Sequence, residues 1–144
     1  MTVAPATETT LASDLLAVVA RINRLANQRV RLPLPFAQAR LLSTIEAEGR
    51  ARISDLAALD HCSQPTMTTQ VRRLEDAGLV SRTVDPDDAR AVLISITPQG
   101  IATLAQVRAD RGNAIDPFLA ELDSADRDTL AAAVEIMRGL LAAH

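Results

Sequence analysis

Apolar residues recur at intervals of three and four positions near both ends of the chain. Near its start, this spacing predicts a helix of about 20 residues that begins at Thr9 or Thr10. Near its end, a capping residue at Asp123 or Ser124 begins a second such helix. Each helix therefore carries one continuous apolar face. The positions that form these faces are Leu11, Leu15, Val18, Ile22 and Leu25 at the start, and Leu130, Val134, Met137 and Leu141 at the end.

Shorter helices are predicted between these two. A proline-rich stretch ends the first helix, and a second helix is expected over residues 36–48. Ser54 is a candidate N-cap for a short third helix. Ser63 is a candidate N-cap for a fourth helix over about residues 64–77, which stops at Gly78.

The pattern then changes from helical spacing to short β-like runs. Residues 79–84 and 91–96 predict two strands, and the charged, turn-rich segment 85–90 lies between them. Thr97 is a candidate cap for a long helix that runs to about Leu122. The chain is therefore predicted to be mainly α with a small β-hairpin. Its middle part has the layout of a winged helix-turn-helix, which is a helix, a turn, a second helix and a two-stranded wing.

The fourth helix has one narrow apolar stripe, formed by Met67, Val71 and Leu74. When this stripe faces the core, hydroxyl and guanidinium groups lie on the outer side of the helix. Such groups suit phosphates and base edges in a major groove, and the free amides at the start of the helix favour a phosphate. The outer side and its flanks consist of Gln64, Pro65, Thr66, Thr69, Arg72 and Arg73.

Composition narrows the classes of function. All fifteen basic residues are Arg, so neither a Schiff-base lysine nor a phosphate-loop lysine is available. Only five Gly and two aromatic residues argue against dinucleotide folds and aromatic base-stacking platforms. Two His and one Cys cannot build a Cys/His zinc site or an internal disulfide, so we expect neither metal nor cofactor. A net charge of −3 means that nucleic-acid binding must rest on a local patch.

The hydropathy pattern bears on where the protein acts. No apolar run approaches the roughly 20 residues that a membrane span needs. The first residues lack the basic start and apolar stretch of a signal peptide, and residues 1–7 are expected to fray. A cytoplasmic protein is therefore expected.

The hairpin offers a second group that can reach DNA. Arg90 is predicted to lie on the hairpin tip, where its charge suits the negative potential of a narrow minor groove. Asp88 is expected to support the wing by holding that guanidinium group in place. The acidic residues Asp85, Asp87 and Asp88 would repel DNA unless they pair internally.

Three segments carry a resemblance to a known family. They are RLEDAGLVSR at 73–82, DPDDARA at 85–91 and ITPQG at 96–100. In this order and spacing the chain resembles the multiple-antibiotic-resistance regulator (MarR) family of bacterial transcription factors. The resemblance covers about residues 11–141.

This resemblance implies a homodimeric, sequence-specific regulator of transcription that binds double-stranded DNA. We expect a repressor that reads a pseudopalindromic operator and is released by a small-molecule effector. In some relatives the molecule bound in the effector pocket is a small anion, so an anionic effector is the expectation here. Residues 8–32 and 117–143 would be dimerisation helices, 33–98 the winged helix-turn-helix domain and 98–122 a long connecting helix. The implied dimer interface comprises Leu11, Leu15, Val18, Leu130, Val134, Met137 and Leu141.

The resemblance also assigns roles to single residues. Arg90 matches the wing arginine that enters the minor groove, and Arg73 matches an arginine late in the recognition helix. Thr68 matches a threonine in the middle of that helix, and Ser63 matches the cap that touches a phosphate. Thr68 and Arg82 lie near the implied effector pocket. The full implied DNA-binding set is Ser63, Gln64, Pro65, Thr66, Thr68, Thr69, Arg72, Arg73 and Arg90.

The chain departs from the family pattern at four positions. Thr69 stands where the family often has Arg, and Arg72 stands where an acidic residue is common. Ala89 replaces a second wing arginine, and His61 occupies a turn position that Gly often holds. The first two departures move a positive charge by three residues on one face, so an altered operator preference is expected.

Other interpretations stay open at this point. Arg72 could instead pair with Asp76 at i,i+4, and Arg82 could form a salt bridge from its strand. Cys62 could sense oxidants, although packing into the core suits a cysteine in this turn.

Two other classes of function also compete. A small hydrolase would need His61 or His144 as its base, and neither has a suitable Ser partner. A helical adaptor could use the winged fold to bind protein alone. Reversing the charge of Arg73 and Arg90 would separate the adaptor from a DNA-binding protein.

Overall fold

The structure is a computed structural model that describes residues 8–144. The expectation that residues 1–7 fray lies outside this range. The described part of the chain contains six helices and three short strands. The helices are α1 (Glu8–Arg29), α2 (Phe36–Glu48), α3 (Ile53–Leu59), α4 (Gln64–Asp76), α5 (Pro98–Leu119) and α6 (Ser124–Ala142), and the strands are β1 (Ala51–Arg52), β2 (Val80–Asp85) and β3 (Asp88–Ile96).

The mainly α fold with a small sheet is as predicted, whereas several helix boundaries differ from prediction. Helix α1 is already helical at Glu8, one or two residues before the predicted start. Helix α5 ends at Leu119 instead of about Leu122, because the chain needs a short connection before Asp123 caps α6. No helix within residues 8–144 is long and apolar enough to cross a membrane.

The chain divides into two compact units. One unit holds residues 30–110, and the other combines α1 with residues 111–144. The core of the first unit joins side chains from α2, α3, α4, the sheet and the start of α5. Its fully buried members are Leu42, Ile45, Leu56, Met67, Val71, Leu74 and Ile94.

The helices of the other unit have few buried side chains. Ala26 of α1 is buried, whereas α6 buries none of its residues within this chain. Arg111 donates to the side-chain oxygen of Asn23 at 2.7 Å, and the guanidinium group of Arg29 lies 4.9 Å from the ring centre of Phe118. The apolar face of α6 is therefore open to a partner.

The helix caps agree with prediction at three of four positions. The Ser63 hydroxyl accepts the amide proton of Thr66, and Asp123 and Thr97 cap α6 and α5 in the same way. The prediction for Ser54 is wrong, because α3 begins at Ile53 and its N-cap is Arg52, without a side-chain cap. Pairing of β1 with β3 keeps the backbone extended up to Arg52, so the helix starts directly after it.

The sheet has three antiparallel strands in the order β1-β3-β2 rather than the two strands predicted. The added strand β1 pairs Ala51 with Ile94 and Arg52 with Leu93. The hairpin turn is also tighter than predicted, because β3 begins at Asp88. Only residues 86–87 form the turn.

The turn between α3 and α4 requires a left-handed backbone. His61 has φ of +51°, the only positive φ at a non-glycine position in the described chain. A side chain at this angle is strained, whereas glycine adopts it freely. This geometry explains why glycine often holds this position, and it makes His61 a strained departure from that pattern.

The start of α5 packs tightly against the end of the α4–β2 connection at Gly100. A Cβ atom at Gly100 would lie 2.2 Å from the carbonyl oxygen of Leu79 and 2.7 Å from Cγ1 of Ile96. The first contact is with backbone, which cannot move aside without shifting β2. Gly112 in the same helix has nothing within 4 Å of such an atom.

We expect Gly100→Ala to lower the free energy of unfolding by about 1–3 kcal/mol, because the added methyl overpacks a rigid contact. Gly112→Ala is the matched control and should be neutral or stabilise by up to about 1 kcal/mol through helix propensity. Chemical denaturation of both variants measures the difference. Equal stability of the two variants would contradict the close contact at Gly100.

Candidate nucleic-acid interface

The rotation of α4 is set by its buried stripe. Met67, Val71 and Leu74 are fully buried, which confirms the predicted inward face. The outer side of the helix is exposed at the positions expected from the sequence. The exposed residues of the predicted set are Ser63, Gln64, Pro65, Thr66, Thr69, Arg72 and Arg73, and Thr68 is half-buried.

The start of α4 offers free amides at an exposed end. The Ser63 hydroxyl accepts from the Thr66 amide at 3.2 Å and donates to the Thr66 hydroxyl at 2.9 Å. Pro65 lies in the first turn, where its missing amide proton costs no helical hydrogen bond. The other amides of this turn and the positive end of the helix dipole suit an anion.

The two threonines in the middle of α4 already donate their hydroxyl protons to carbonyl groups of the same helix. Thr68 donates to the Gln64 carbonyl at 2.9 Å, and Thr69 donates to the Pro65 carbonyl at 3.1 Å. Each side chain therefore presents oxygen lone pairs and a methyl group. These groups suit the amino groups of adenine or cytosine and the methyl of thymine better than phosphates, which need donors.

Three exposed arginines of α4 and β3 are unpaired. Within the described chain, Arg72, Arg73 and Arg90 form no ion pair and no side-chain hydrogen bond, so the proposed Arg72–Asp76 pair is not formed. Unpaired guanidinium groups keep all five donors for phosphates or guanine. The arginines that do have an acidic partner are Arg40, Arg52, Arg82, Arg108 and Arg138.

Arg82 belongs to the paired group. Its Nε donates to Glu75 Oε2 at 2.6 Å and ties β2 to α4, as the salt-bridge interpretation anticipated. Thr68, the other residue predicted near the effector pocket, donates its hydroxyl proton to a carbonyl group of α4. The guanidinium group of Arg82 is thus less available for an effector than an unpaired one.

A different groove lies along α1 in the other unit. Its volume is about 510 Å³, and it combines basic and amide groups with apolar side chains. Two of its lining residues, Arg21 and Arg24, carry the basic groups. The groove is lined by Val18, Arg21, Ile22, Arg24, Leu25 and Gln28.

Arg90 lies on a bulge near the hairpin end of β3. The strand register jumps from the pair Val84–Val92 to the pair Asp85–Asp88, so residues 89–91 have no residue opposite them on β2. Bulges of this kind redirect side chains. Arg90 is therefore exposed on a strand, whereas the sequence placed it in the turn.

The prediction for Asp88 is wrong in detail. Its Oδ1 accepts the backbone amide proton of Arg90 at 3.0 Å, and no contact with the guanidinium group occurs. The reason is the bulge, because an amide that has lost its ladder partner requires another acceptor. Asp88 thus supports the backbone at Arg90 and leaves its side chain free.

Asp85 anchors the base of the turn, a role that sequence reasoning did not assign. Its carboxylate accepts from Arg52 Nη2 at 2.7 Å and from the Asp87 amide at 2.9 Å. The Asp87 amide and the Arg52 guanidinium group hold the pKa of Asp85 below its ordinary value. The same contact raises the pKa of Arg52. One of the three acidic charges near the wing is thereby paired internally.

The single cysteine lies at the edge of the core. Cys62 is half-buried and packs against the buried cluster of the winged unit.

Within the described residues, no group of three or more His, Cys, Asp and Glu side chains is placed to hold a metal ion.

Comparison with known proteins gives the family. A family model described as "MarR family" matches residues 34–92. An HTH-type transcriptional regulator of Mycobacterium tuberculosis is 33% identical over 132 residues, which cover 91% of this chain and 92% of the relative. The chain belongs to the MarR family. It is a transcriptional regulator of the helix-turn-helix type rather than an enzyme, which removes the hydrolase alternative.

Solved structures of MarR-type proteins share the fold. A transcriptional regulator from Thermotoga maritima is 25% identical with a TM-score of 0.74, and the match covers 93% of this chain and 95% of that one. A MarR variant from E. coli complexed with operator DNA is 22% identical with a TM-score of 0.60, over 94% of this chain and 99% of that one. Winged-helix proteins of the MarR family therefore have the same architecture as this chain.

The lowered pKa of Asp85 predicts an acid response of this MarR-family regulator. Folding favours the ionised carboxylate, so its stabilising contribution is full above the ordinary pKa of about 3.9. It is lost as the pH falls toward the lowered pKa of the folded state. We expect Asp85→Asn to lower the thermal midpoint at neutral pH and to flatten its decline below about pH 4.

Thermal melts from pH 7 to pH 3 check this expectation. Asp87→Asn is the matched control, because the Asp87 side chain forms no ion pair within the described residues. It should keep the acid response of the wild type. A wild-type acid response in Asp85→Asn would show that the Arg52–Asp85 contact does not stabilise the fold.

Proposed function

We propose that this protein is a homodimeric repressor that reads a pseudopalindromic operator and is released by a small-molecule effector. The observation that carries the proposal is the set of three unpaired arginines, Arg72, Arg73 and Arg90. They extend from α4 and β3 of one compact unit, in a chain whose net charge is −3. A local basic surface on an acidic protein favours DNA at one face only.

In the proposed complex, α4 enters the major groove. Its N-terminal amides and Ser63 contact a phosphate, and the central position is Thr69, where the methyl group and lone pairs meet base edges. Arg72 and Arg73 flank this position on opposite sides. Either arginine can donate two hydrogen bonds to guanine or bind a phosphate.

The wing completes the proposed contact in the adjacent minor groove. Arg90 is the one wing arginine, since Ala89 stands next to it. A single guanidinium group suits a narrow, A·T-rich minor groove with enhanced negative potential. A MarR variant from E. coli with the same fold was solved in complex with operator DNA, which supports DNA as the partner of this surface.

The proposed dimer interface is the apolar face of α1 and α6. Helix α6 buries no residue within the chain, although Leu130, Val134 and Leu141 are apolar and exposed. Leu11, Leu15 and Val18 are likewise exposed on α1, and Met137 is half-buried. A monomer that left both faces in water would expose large apolar patches, whereas a second copy removes them from water.

This assignment gives the proposed organisation of the chain. Residues 8–32 and 117–143 form the dimerisation helices, residues 33–98 form the DNA-binding domain, and residues 98–122 connect them. Two recognition helices related by a two-fold axis would read half-sites about one helical turn apart.

The proposed release by an effector follows from linkage between two sites. An effector that prefers a dimer with wrongly spaced recognition helices shifts the population away from the DNA-binding form. Operator and effector must then weaken each other by the same factor. The α1 groove, with Arg21 and Arg24 beside Val18, Ile22 and Leu25, suits an apolar anion.

The DNA-binding role of the free arginines predicts distinct effects of single substitutions. We expect Arg73→Ala and Arg90→Ala each to weaken binding roughly tenfold, because each removes a group that contacts DNA. Binding is measured by fluorescence anisotropy on a duplex selected from a random-sequence library by the wild-type protein. Arg138→Ala is the matched control, since Arg138 lies on α6 beside Glu135.

The control should bind like the wild type. Charge reversal at Arg73 and Arg90 together should abolish measurable binding. If these variants keep the affinity and salt dependence of the wild type, the adaptor alternative stands and the proposed DNA surface is wrong.

The dimer model predicts a change of mass on substitution. Leu15→Glu places a charge in the proposed interface, and we expect the purified variant to sediment as a monomer. Leu59→Glu is the control, because Leu59 is also exposed, at 52%, but lies on α3 in the other unit. A Leu15→Glu protein with the mass of the wild-type dimer would refute this interface.

A further inference from the structure

The segment that carries Arg90 lacks the usual support of a strand. Residues 89–91 have no residues opposite them on β2, and the Arg90 amide donates to the Asp88 side chain instead. A two-stranded hairpin with an unsupported bulge has many accessible conformations. Holding Arg90 in one of them requires a fixed point next to the bulge.

Asp85 supplies such a point on the opposite strand. The strand register shifts at Asp85, and the residue opposite it on β3 is Asp88. The Asp88 carboxylate in turn accepts the amide proton of Arg90. The two carboxylate oxygens of Asp85 take different donors. Oδ1 accepts from the Asp87 amide within the turn, and Oδ2 accepts from Arg52, 33 residues earlier in the chain.

Arg52 connects this point to the helix-turn-helix. It is the last residue of β1 and the N-cap position of α3, so its backbone is fixed on both sides. The Arg52–Asp85 contact at 2.7 Å therefore joins the turn of the wing to the start of α3. A charge-assisted hydrogen bond of this length is strong and directional.

The burial of the pair is uneven. Asp85 is the only charged residue buried among residues 10–144, with 9% of its side chain exposed, whereas Arg52 is 42% exposed. Half-exposed ion pairs contribute modestly to overall stability, which agrees with the expected fall in the thermal midpoint of Asp85→Asn. Their geometric effect remains, because a buried carboxylate without its guanidinium partner must move toward water. The contact is thus better suited to fixing the wing than to stabilising the core.

We propose that Arg52 and Asp85 are positioning residues for DNA binding, which hold the bulge so that Arg90 reaches the minor groove. This inference rests on the proposed function, since it requires that Arg90 contacts DNA. Neither residue touches DNA in this account. Their effect passes through the turn, Asp88 and the backbone of Arg90.

A double-mutant cycle tests the inference. Binding to the selected duplex is measured for Arg52→Gln, Asp85→Asn and Arg90→Ala, and for Arg90→Ala combined with each of the other two. We expect each single variant to weaken binding roughly tenfold. In the Arg90→Ala background, Arg52→Gln or Asp85→Asn should weaken binding by no more than about twofold, because the group being positioned is absent.

Two further variants exclude a general structural effect. Arg52→Lys keeps a positive charge near Asp85 and should restore most of the affinity lost in Arg52→Gln. Asp87→Asn, which removes a negative charge from the same turn, should bind at least as tightly as the wild type. Thermal melts of each variant identify any loss of fold, and Arg52→Gln keeps the test available if Asp85→Asn does not fold.

The outcomes separate the inference from the proposed function. If Arg90→Ala weakens binding but Arg52→Gln and Asp85→Asn do not, the positioning role is wrong and the DNA surface stands. If the losses of affinity add up in the double variants, Arg52 contacts DNA itself and the inference is overturned. Tighter binding by Asp85→Asn would also overturn it. If Arg90→Ala has no effect, the proposed wing contact fails and the positioning role fails with it.

Discussion

The burial of Met67, Val71 and Leu74 fixes the rotation of α4 about its own axis. These side chains occupy one narrow stripe, so a change of rotation by one residue would expose apolar groups and bury a threonine or an arginine without a partner. The same stripe thus determines that Thr69 lies centrally on the outer side, with Arg72 and Arg73 beside it. The chemistry offered to DNA by this helix depends directly on its packing.

Pairing of charges separates the arginines that join elements of the winged unit from those whose donors stay available to a partner. Arg52, Arg82 and Arg108 are bound to acidic groups that join elements of the winged unit. The arginines that point outward from α4 and the bulge have no such partner in the described chain. Because interactions between exposed charges fade over about 8 Å at physiological salt, the overall negative charge does little to weaken this local surface.

Much of this fold could be predicted from the sequence, because its signals are local. The spacing of apolar residues gave the helices, and Ser63, Thr97 and Asp123 marked helix starts that the structure confirms. Strand β1 was missed, since two residues carry no periodicity and this strand exists only through pairing with β3. The Ser54 cap failed for the same reason, because that pairing displaces the helix start.

The exposed face of α4 and the existence of the hairpin were predictable from the sequence, but the contacts within the wing were not. The sequence showed three acidic residues near Arg90 but could not show which of them would be paired. The partner of Asp85 is Arg52, 33 positions away, and the bulge at residues 89–91 depends on strand register. Both features are properties of tertiary contact, which spacing along the chain does not record.

In the proposed complex, α4 reads the major groove while Arg90 of the wing reads the minor groove. Methylation interference on the selected duplex distinguishes the two grooves, because methyl groups on guanine N7 lie in the major groove and those on adenine N3 lie in the minor groove. We expect interference at both positions, and loss of the adenine signal alone with Arg90→Ala. An adenine signal that persists in this variant, or no guanine signal in the wild type, would contradict this mode of binding.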